Sequence, residues 1–323
     1  MKSYFDKGRL YTLQLEICNI CPQECNYCYT KLEGNLGNVV PKSKIIEIID
    51  DASTLGAKRI EWLGGDPICH PDWEELLKYA HDLGIKNNIW SSGYYFKDKG
   101  VSKKAIKLTE EGIISVHFDS ITRPIYEKLH SNDFNEFRIN LLEGLRTLID
   151  LGKDPNDIYN CVTLTNLQTK GDYKETSEYF KHNFGIKTTF VVYKPVYSGF
   201  EFAPAPEEVR AASVVKNKIN GSDMSPIPQC VDRYYCGTTM SVTNNLHLTP
   251  CSRIRQSFGN INSRRFIDCF KENFEMLLKI PLRDLDNLPK CKNCERNTDC
   301  WGCRGNAWHY QSDVLGMDSK CWR

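Results

Sequence analysis

The chain has almost no net charge: 42 Lys and Arg against 41 Asp and Glu leave +1 over 323 residues. A surface without an excess of one sign gives no polyelectrolyte signal, so a nucleic-acid partner is not implied. The opening MKSYFDKGRL lacks the apolar stretch of an export signal, and no hydrophobic run approaches membrane-spanning length. Internal repeats and low-complexity tracts are also missing. These absences predict a cytoplasmic protein with no membrane partner. At 41% hydrophobic and 26% charged residues the composition is that of a globular chain, long enough for one large domain or two ordinary ones.

Cysteine is what the chain has in excess, with fifteen. Disulfides are rare in a reducing cytosol, so clustered cysteines there point first to metal ligation. A disulfide scaffold or scattered core thiols would be the plain alternatives. Grouping argues against both, because most of the cysteines fall in two tight sets near the ends of the chain.

Over residues 11–192, short apolar runs alternate with amphipathic ones. Tyr11–Ile17, Arg59–Leu63, Asn88–Ser91, Ile113–Phe118, Ile158–Leu164 and Thr188–Val192 read as strands. Helical patterns cover Ser43–Leu55, Trp73–Leu83 and residues near 102–111, 136–151 and 172–184. Six strand-then-helix units imply parallel strands with right-handed crossovers. The α/β fold expected is a partial (β/α)6 TIM-like barrel, with its active site at the C-terminal ends of the strands. From Lys194 to Gln229 prolines and glycines break the pattern around one helical stretch, Glu207–Ile219. The expected division is a barrel over 1–202, a bridge over 203–228 and a small C-terminal α+β domain over 229–323, which leans on metal for lack of apolar core.

Directly after the first strand comes Cys21-x3-Cys25-x2-Cys28. This spacing lets one loop supply three thiolates to a cubane and leaves the fourth iron open for chemistry. CxxxCxxC after the first barrel strand resembles the radical S-adenosylmethionine (SAM) superfamily. The resemblance implies SAM chelated to the open iron, one-electron cleavage to a 5′-deoxyadenosyl radical, hydrogen abstraction from a substrate, and an external one-electron reductant, flavodoxin or ferredoxin. Cys18 breaks the family spacing and is read as structural. By the same resemblance Tyr27 packs beside the SAM adenine. Gly64-Gly65-Asp66-Pro67 resembles the Gly-Gly-Glu element that receives the SAM amino group, with Asp in place of Glu. Ser91-Ser92-Gly93 resembles a Thr-Asn-Gly element, and His117-Phe118-Asp119-Ser120 stands where Ser-x-Asp-Gly makes ribose or carboxylate contacts. His117 replaces the usual serine, and a core histidine and a ligand contact are both open readings.

The second set reads Cys230-x5-Cys236-x14-Cys251, then Cys291-x2-Cys294-x5-Cys300-x2-Cys303-x17-Cys321. Eight cysteines are enough for two more clusters. Thr238–Pro250 alternates about Asn244-Asn245, a hairpin signal that brings Cys236 and Cys251 together. Cys291-x2-Cys294 alone would also suit a zinc knuckle. The whole run resembles the SPASM extension of radical SAM enzymes. That resemblance implies three [4Fe-4S] clusters in all. One auxiliary cluster would sit on Cys230, Cys236, Cys251 and Cys303, the other on Cys291, Cys294, Cys300 and Cys321. Four-cysteine ligation leaves no open iron, so auxiliary clusters of this kind would move electrons.

Cys69, Cys161 and Cys269 remain. Cys269 shares an apolar helix face with Phe266, Phe270 and Phe274 and is expected in the core. Cys69 and Cys161 could approach the cavity and donate hydrogen to a substrate radical, as in peptide epimerases of the family. The leading expectation, by analogy, is an oxidoreductase or maturase acting on a ribosomally made peptide, by oxidative cross-linking or epimerisation. The first strand begins near Tyr11, so a leader-peptide-binding module is expected on a separate protein. Dehydrogenation or rearrangement of a small molecule, such as a sugar or aminocyclitol, is the alternative. Sulfatase-type maturation is a third reading, disfavoured by Ser252 where the family has a base Asp after the cysteine equivalent to Cys251.

Overall fold

The computed structural model describes residues 1–168, 171–223, 226–228 and 231–323. Its frame is six strands: β1 Thr12–Glu16, β2 Arg59–Leu63, β3 Lys86–Trp90, β4 Ile114–His117, β5 Ile158–Leu164 and β6 Lys187–Val192. Each pairs in parallel with the next in chain order. The crossovers carry α1 Lys42–Thr54, α2 Trp73–Asp82, α3 Lys99–Leu108, α4 Arg123–Leu129, α5 Phe134–Asp150 and α6 Asp172–Phe184. The sheet is open, as a partial barrel requires, with β6 at one edge.

Alternation along the strands sorts side chains between two faces. Leu13, Leu15, Ile60, Trp62, Ile89 and Ile114 face the helices and form one core with Ile45, Ile48, Leu76, Leu77, Leu141 and Leu145. The alternate positions carry Gln14, Glu16, Glu61, Asn88, Trp90, Ser115 and His117, so the inner face is polar. Its buried charges are matched, as burial demands. Glu61 pairs with Arg59 at 3.0 Å and accepts from Asn88 Nδ2 at 3.0 Å and Trp90 Nε1 at 2.5 Å. Glu16 pairs with Arg255 at 2.6 Å.

The segment between 203 and 228 is more than a connector. Helix α7, Pro206–Asn220, lays Val209 and Ala212 against Val162, Leu164, Phe190 and Val192, covering the outside of β5 and β6. The hairpin read around Asn244-Asn245 is present as β7 Thr239–Val242 and β8 Leu248–Thr249. It does not stand apart from the barrel: β7 pairs in parallel with β1, from Thr12↔Thr239 to Leu15↔Val242. Among the described residues the sheet therefore has eight strands, ordered β6-β5-β4-β3-β2-β1-β7-β8. Helix α8, Phe266–Leu277, covers the extension, with Met240, Val242, Leu248, Phe266 and fully buried Cys269 joining the main core.

Around the last cysteines the apolar core shrinks to Phe5, Leu282, Leu288 and Trp301, with Phe5 supplied by the short N-terminal helix Lys2–Asp6. So small a core calls for another source of stability. The last helix, α9, spans Arg304–Gln311. Among the described residues no helix is long and apolar enough to cross a membrane.

Candidate active site

The loop after β1 is held from below by the segment that follows β2. Gly65 N donates to Cys18 O at 2.8 Å and Asp66 N to Ile20 O at 2.6 Å. This approach explains both glycines. A Cβ on Gly64 would lie 2.4 Å from Cys18 O, and one on Gly65 2.2 Å from Ile20 O. Gly64 also sits at φ +137°, where a side chain is strained. Cys18 lies inside the clamp, its Sγ donating to Asp66 O at 3.2 Å, and burial pushes its thiol up to about 11.

Cys21, Cys25 and Cys28, carried on this loop, line one cavity. Burial holds the Cys21 thiol well above its usual range, and the Asp66 carboxylate adds to the shift. Burial does the same for Cys25, with Cys28 and Cys21 pushing further. Cys21 and Cys25, desolvated and resistant to ionisation, need positive charge beside them before they become thiolates, which is what a metal cluster supplies. The backbone N–H of Gln23 already points at the Cys21 sulfur and favours its ionised form. The donor set fits an iron–sulfur cluster.

The remaining motif residues divide between lining and support. Tyr27, Gly64, Gly65, Ser91, Ser92 and His117 line the cavity with Cys161, whereas Asp66, Pro67, Asp119 and Cys69 do not. Asp66 is fully buried and saturated: Oδ2 accepts from Ser91 Oγ at 2.8 Å, Ser92 N at 2.9 Å and Ser92 Oγ at 2.5 Å, and Oδ1 from Ile68 N at 3.0 Å. It ties the end of β3 to the end of β2. Pro67 opens the 3₁₀ turn Pro67–Cys69, and burial, then Asp66, raises the Cys69 thiol to about 12.

Asp119 is a second hub. Its carboxylate accepts from Tyr27 OH, from His117 Nε2 at 2.9 Å, from His130 Nε2 at 3.0 Å and from Thr163 N at 2.7 Å. Burial opposes ionisation, but the charge and donor bond of His117 and the bond from His130 outweigh it, holding Asp119 far below the usual carboxylate range. His117 therefore faces the cavity with one ring nitrogen anchored. Motif reading missed Trp90, Ser115 and Thr163, which also line the cavity. Their place on the polar inner face is the signal that could have found them. Lys194 and Arg253, two further lining residues, belong to no motif.

In the C-terminal segment Cys291, Cys294, Cys300 and Cys321 line a separate cavity of about 310 Å³. Arg296 N donates to Cys294 Sγ at 3.5 Å and Gly302 N to Cys300 Sγ at 3.2 Å, the polarity that suits thiolates. Cys303 and Cys251 lie within electrostatic reach of one another; burial is the main reason the Cys303 thiol is raised. Cys236 ends the turn Arg233–Cys236, its carbonyl held by Lys279 Nζ at 3.0 Å. Cys230 lies outside the described residues. Buried Asp318 organises the loops, accepting from Cys303 N at 2.6 Å, Asn306 Nδ2 at 2.9 Å and Lys320 N at 2.9 Å. Among the described residues no three His, Cys, Asp or Glu side chains close on a single-ion site. Cys21, Cys25 and Cys28 stand around one cavity, and Cys291, Cys294, Cys300 and Cys321 around another.

Residues 15–180 match the model of the radical SAM superfamily. The chain is 27% identical over 329 residues to a PqqA peptide cyclase of Bradyrhizobium diazoefficiens, covering 95% of this chain and 84% of that one. It is 22% identical over 184 residues to a probable GTP 3′,8-cyclase of Saccharolobus islandicus, spanning 57% of this chain and just over half, 56%, of that relative's length. Among solved structures, SuiB of Streptococcus suis bound to the precursor peptide SuiA superposes with TM-score 0.71 at 16% identity, covering 99% of this chain and 79% of SuiB. Native anSMEcpe with bound AdoMet gives TM-score 0.71 at 14% identity, covering 96% of this chain and 94% of that one. With its three-cysteine loop clamped at the head of an open parallel barrel, the chain belongs to the radical SAM superfamily, the enzymes that use SAM and a [4Fe-4S] cluster.

Proposed function

We propose that this radical SAM enzyme oxidatively modifies a peptide, with Cys21, Cys25 and Cys28 holding the SAM-binding cluster and the C-terminal cysteines holding two auxiliary clusters. When bound, cluster and SAM together supply the electron and the adenosyl radical that takes a hydrogen atom from substrate carbon. The observation that carries the reading is the placement of the cysteine groups: three thiols line the barrel cavity, and four more line a separate cavity. Four-cysteine sites leave no open iron, which supports electron transfer over substrate ligation at the auxiliary positions.

The chain's own residues supply the setting. Asp66 and Asp119 fix Ser91, Ser92, Tyr27 and His117 on the cavity wall, so groups that would meet SAM are locked before it arrives. Peptide as substrate is supported by the near full-length likeness to a PqqA peptide cyclase and by the fold shared with SuiB, whose structure holds a precursor peptide. The likeness to GTP 3′,8-cyclases, named for a small molecule, spans little more than half the chain and carries less weight. Ser252, buried and donating its backbone N–H to Gln14 Oε1 at 2.8 Å, brings no carboxylate of its own to the position after Cys251, which speaks against sulfatase-type maturation. The test is anaerobic reconstitution with SAM and dithionite, then mass spectrometry of 5′-deoxyadenosine formed with deuterated candidate peptides. Deuterium transfer supports the reading. Transfer only from deuterated sugars or aminocyclitols would replace it.

A further inference from the structure

We propose that Leu36, Tyr197 and Phe200 form an apolar rim at the mouth of the active-site cavity. The rim holds apolar residues that flank the modified one in a peptide, the substrate class proposed above and on which this inference rests.

These are the three most exposed large apolar side chains among the described residues, at 67%, 55% and 61%. One exposed apolar side chain is ordinary, whereas several gathered in one place mark an interaction surface. All three lie on two segments that border the same cavity. Tyr29 lines it, and Leu36 stands on the turn that follows the short helix Tyr29–Leu32. Val196 lines it too, directly before Tyr197. The segments meet where Tyr197 OH donates to Glu33 Oε1 at 3.4 Å, and neither of these residues is part of the lining.

Slack chain does not account for the exposure. On the first segment Glu33 pairs with Arg255, Asn19 Nδ2 donates to Gly34 O at 2.9 Å, and Asn35 Nδ2 donates to Asn245 Oδ1 at 2.9 Å. On the second, the lining residue Tyr193 donates its OH to Gly199 O at 2.5 Å. Phe202 packs its ring 5.8 Å from that of Tyr193 and 6.4 Å from that of Tyr27. Tyr197 is held at φ +62°, a left-handed conformation that bulky residues adopt only where their surroundings impose it. The backbone is thus pinned while the apolar side chains stay in solvent.

Position decides the occupant. Leu36, Tyr197 and Phe200 stand outside the cavity lining, so a sugar or aminocyclitol seated inside does not cover them. A peptide with its reacting residue inside must run out past the mouth, where its neighbouring side chains meet the rim. Leu, Tyr and Phe match aliphatic and aromatic side chains there.

The experiment compares three anaerobically reconstituted proteins: wild type, a polar triple variant and a conservative one. The polar variant is Leu36→Ser/Tyr197→Asn/Phe200→Ser, with Asn chosen because it tolerates the left-handed backbone. The conservative variant is Leu36→Met/Tyr197→Phe/Phe200→Leu. Iron content and thermal unfolding establish that each folds. The probe is a library of short random peptides displayed on their encoding nucleic acid, selected on immobilised enzyme with SAM and read by sequencing. An enriched peptide and its serine-flanked version are then compared by fluorescence anisotropy. The wild type should enrich Leu, Ile, Phe or Tyr beside a central residue and bind the serine version about tenfold more weakly. The conservative variant should keep that preference and the polar variant lose it. Comparing the two peptides on the wild type needs neither variant to fold. Enrichment without apolar flanks, or a preference that survives in the polar variant, overturns the rim and leaves the peptide reading standing. No enrichment by the wild type also removes the rim, and the deuterium assay above then decides the peptide reading by itself. A wild-type dimer in sedimentation that dissociates in the polar variant would reassign the rim to a second copy of the chain.

Discussion

Replacing Gly65 by alanine tests whether the Gly-Gly segment exists to hold the cysteine loop. The added Cβ would lie 2.2 Å from Ile20 O, 2.5 Å from Ile20 C and 2.6 Å from Ile20 N, all backbone atoms one residue before Cys21. Backbone cannot swing aside as a side chain can, so the loop must retreat by roughly 1 Å, and overpacking of this kind costs about 1–3 kcal/mol. The retreat also strains the bonds Gly65 N to Cys18 O and Asp66 N to Ile20 O. A 1 Å error at a reacting centre is worth on the order of a hundredfold in rate. The stability loss should be modest, while 5′-deoxyadenosine formation by the reduced, SAM-loaded enzyme falls about a hundredfold. Thermal unfolding of the metal-free chain measures the first quantity and chromatography of the nucleoside the second. An alanine variant with wild-type SAM cleavage would refute the clamp.

Three more outcomes follow from the same hubs. Asp66→Ala strands the donors of Ser91, Ser92 and Ile68 and should cost about 3 kcal/mol in chemical denaturation without SAM; unchanged stability with weakened SAM binding would assign Asp66 to the cofactor instead. Asp318→Ala frees Cys303 N, Asn306 and Lys320 N, so auxiliary iron should drop while SAM cleavage persists; full iron content would deny Asp318 its organising part. Cys161→Ala should abolish any uptake of solvent deuterium into product, because Cys161 lines the cavity, whereas Cys69→Ala should not, because Cys69 does not. Deuterium uptake surviving in Cys161→Ala removes that residue as a hydrogen donor.

The strands of the barrel were legible because each is a short apolar run closed by turn residues, and Arg59–Leu63 and Ile158–Leu164 lie where the pattern puts them. Helix α4, Arg123–Leu129, was not read, since its single turn-pair of buried residues, Tyr126 and Leu129, leaves too little periodicity. The parallel pairing of β7 with β1 was also hidden: its hydrogen bonds join segments at opposite ends of the chain, and no local pattern encodes such a register. Site residues followed the same division. The cysteine spacings and the Gly-Gly-Asp segment are local and stood out in the sequence. His130 and Thr163, which donate to Asp119, come from other elements, as do Lys194 and Arg253, which only the fold brings to one cavity.

The most direct measurement compares iron content and SAM cleavage in anaerobically purified wild type and in the Cys21→Ala/Cys25→Ala/Cys28→Ala variant. The account predicts that the variant loses one cluster's iron, keeps the auxiliary iron, and makes no 5′-deoxyadenosine after reduction, while the wild type converts SAM to methionine and 5′-deoxyadenosine. Equal iron in the two proteins, or zinc in place of iron in the wild type, would contradict it.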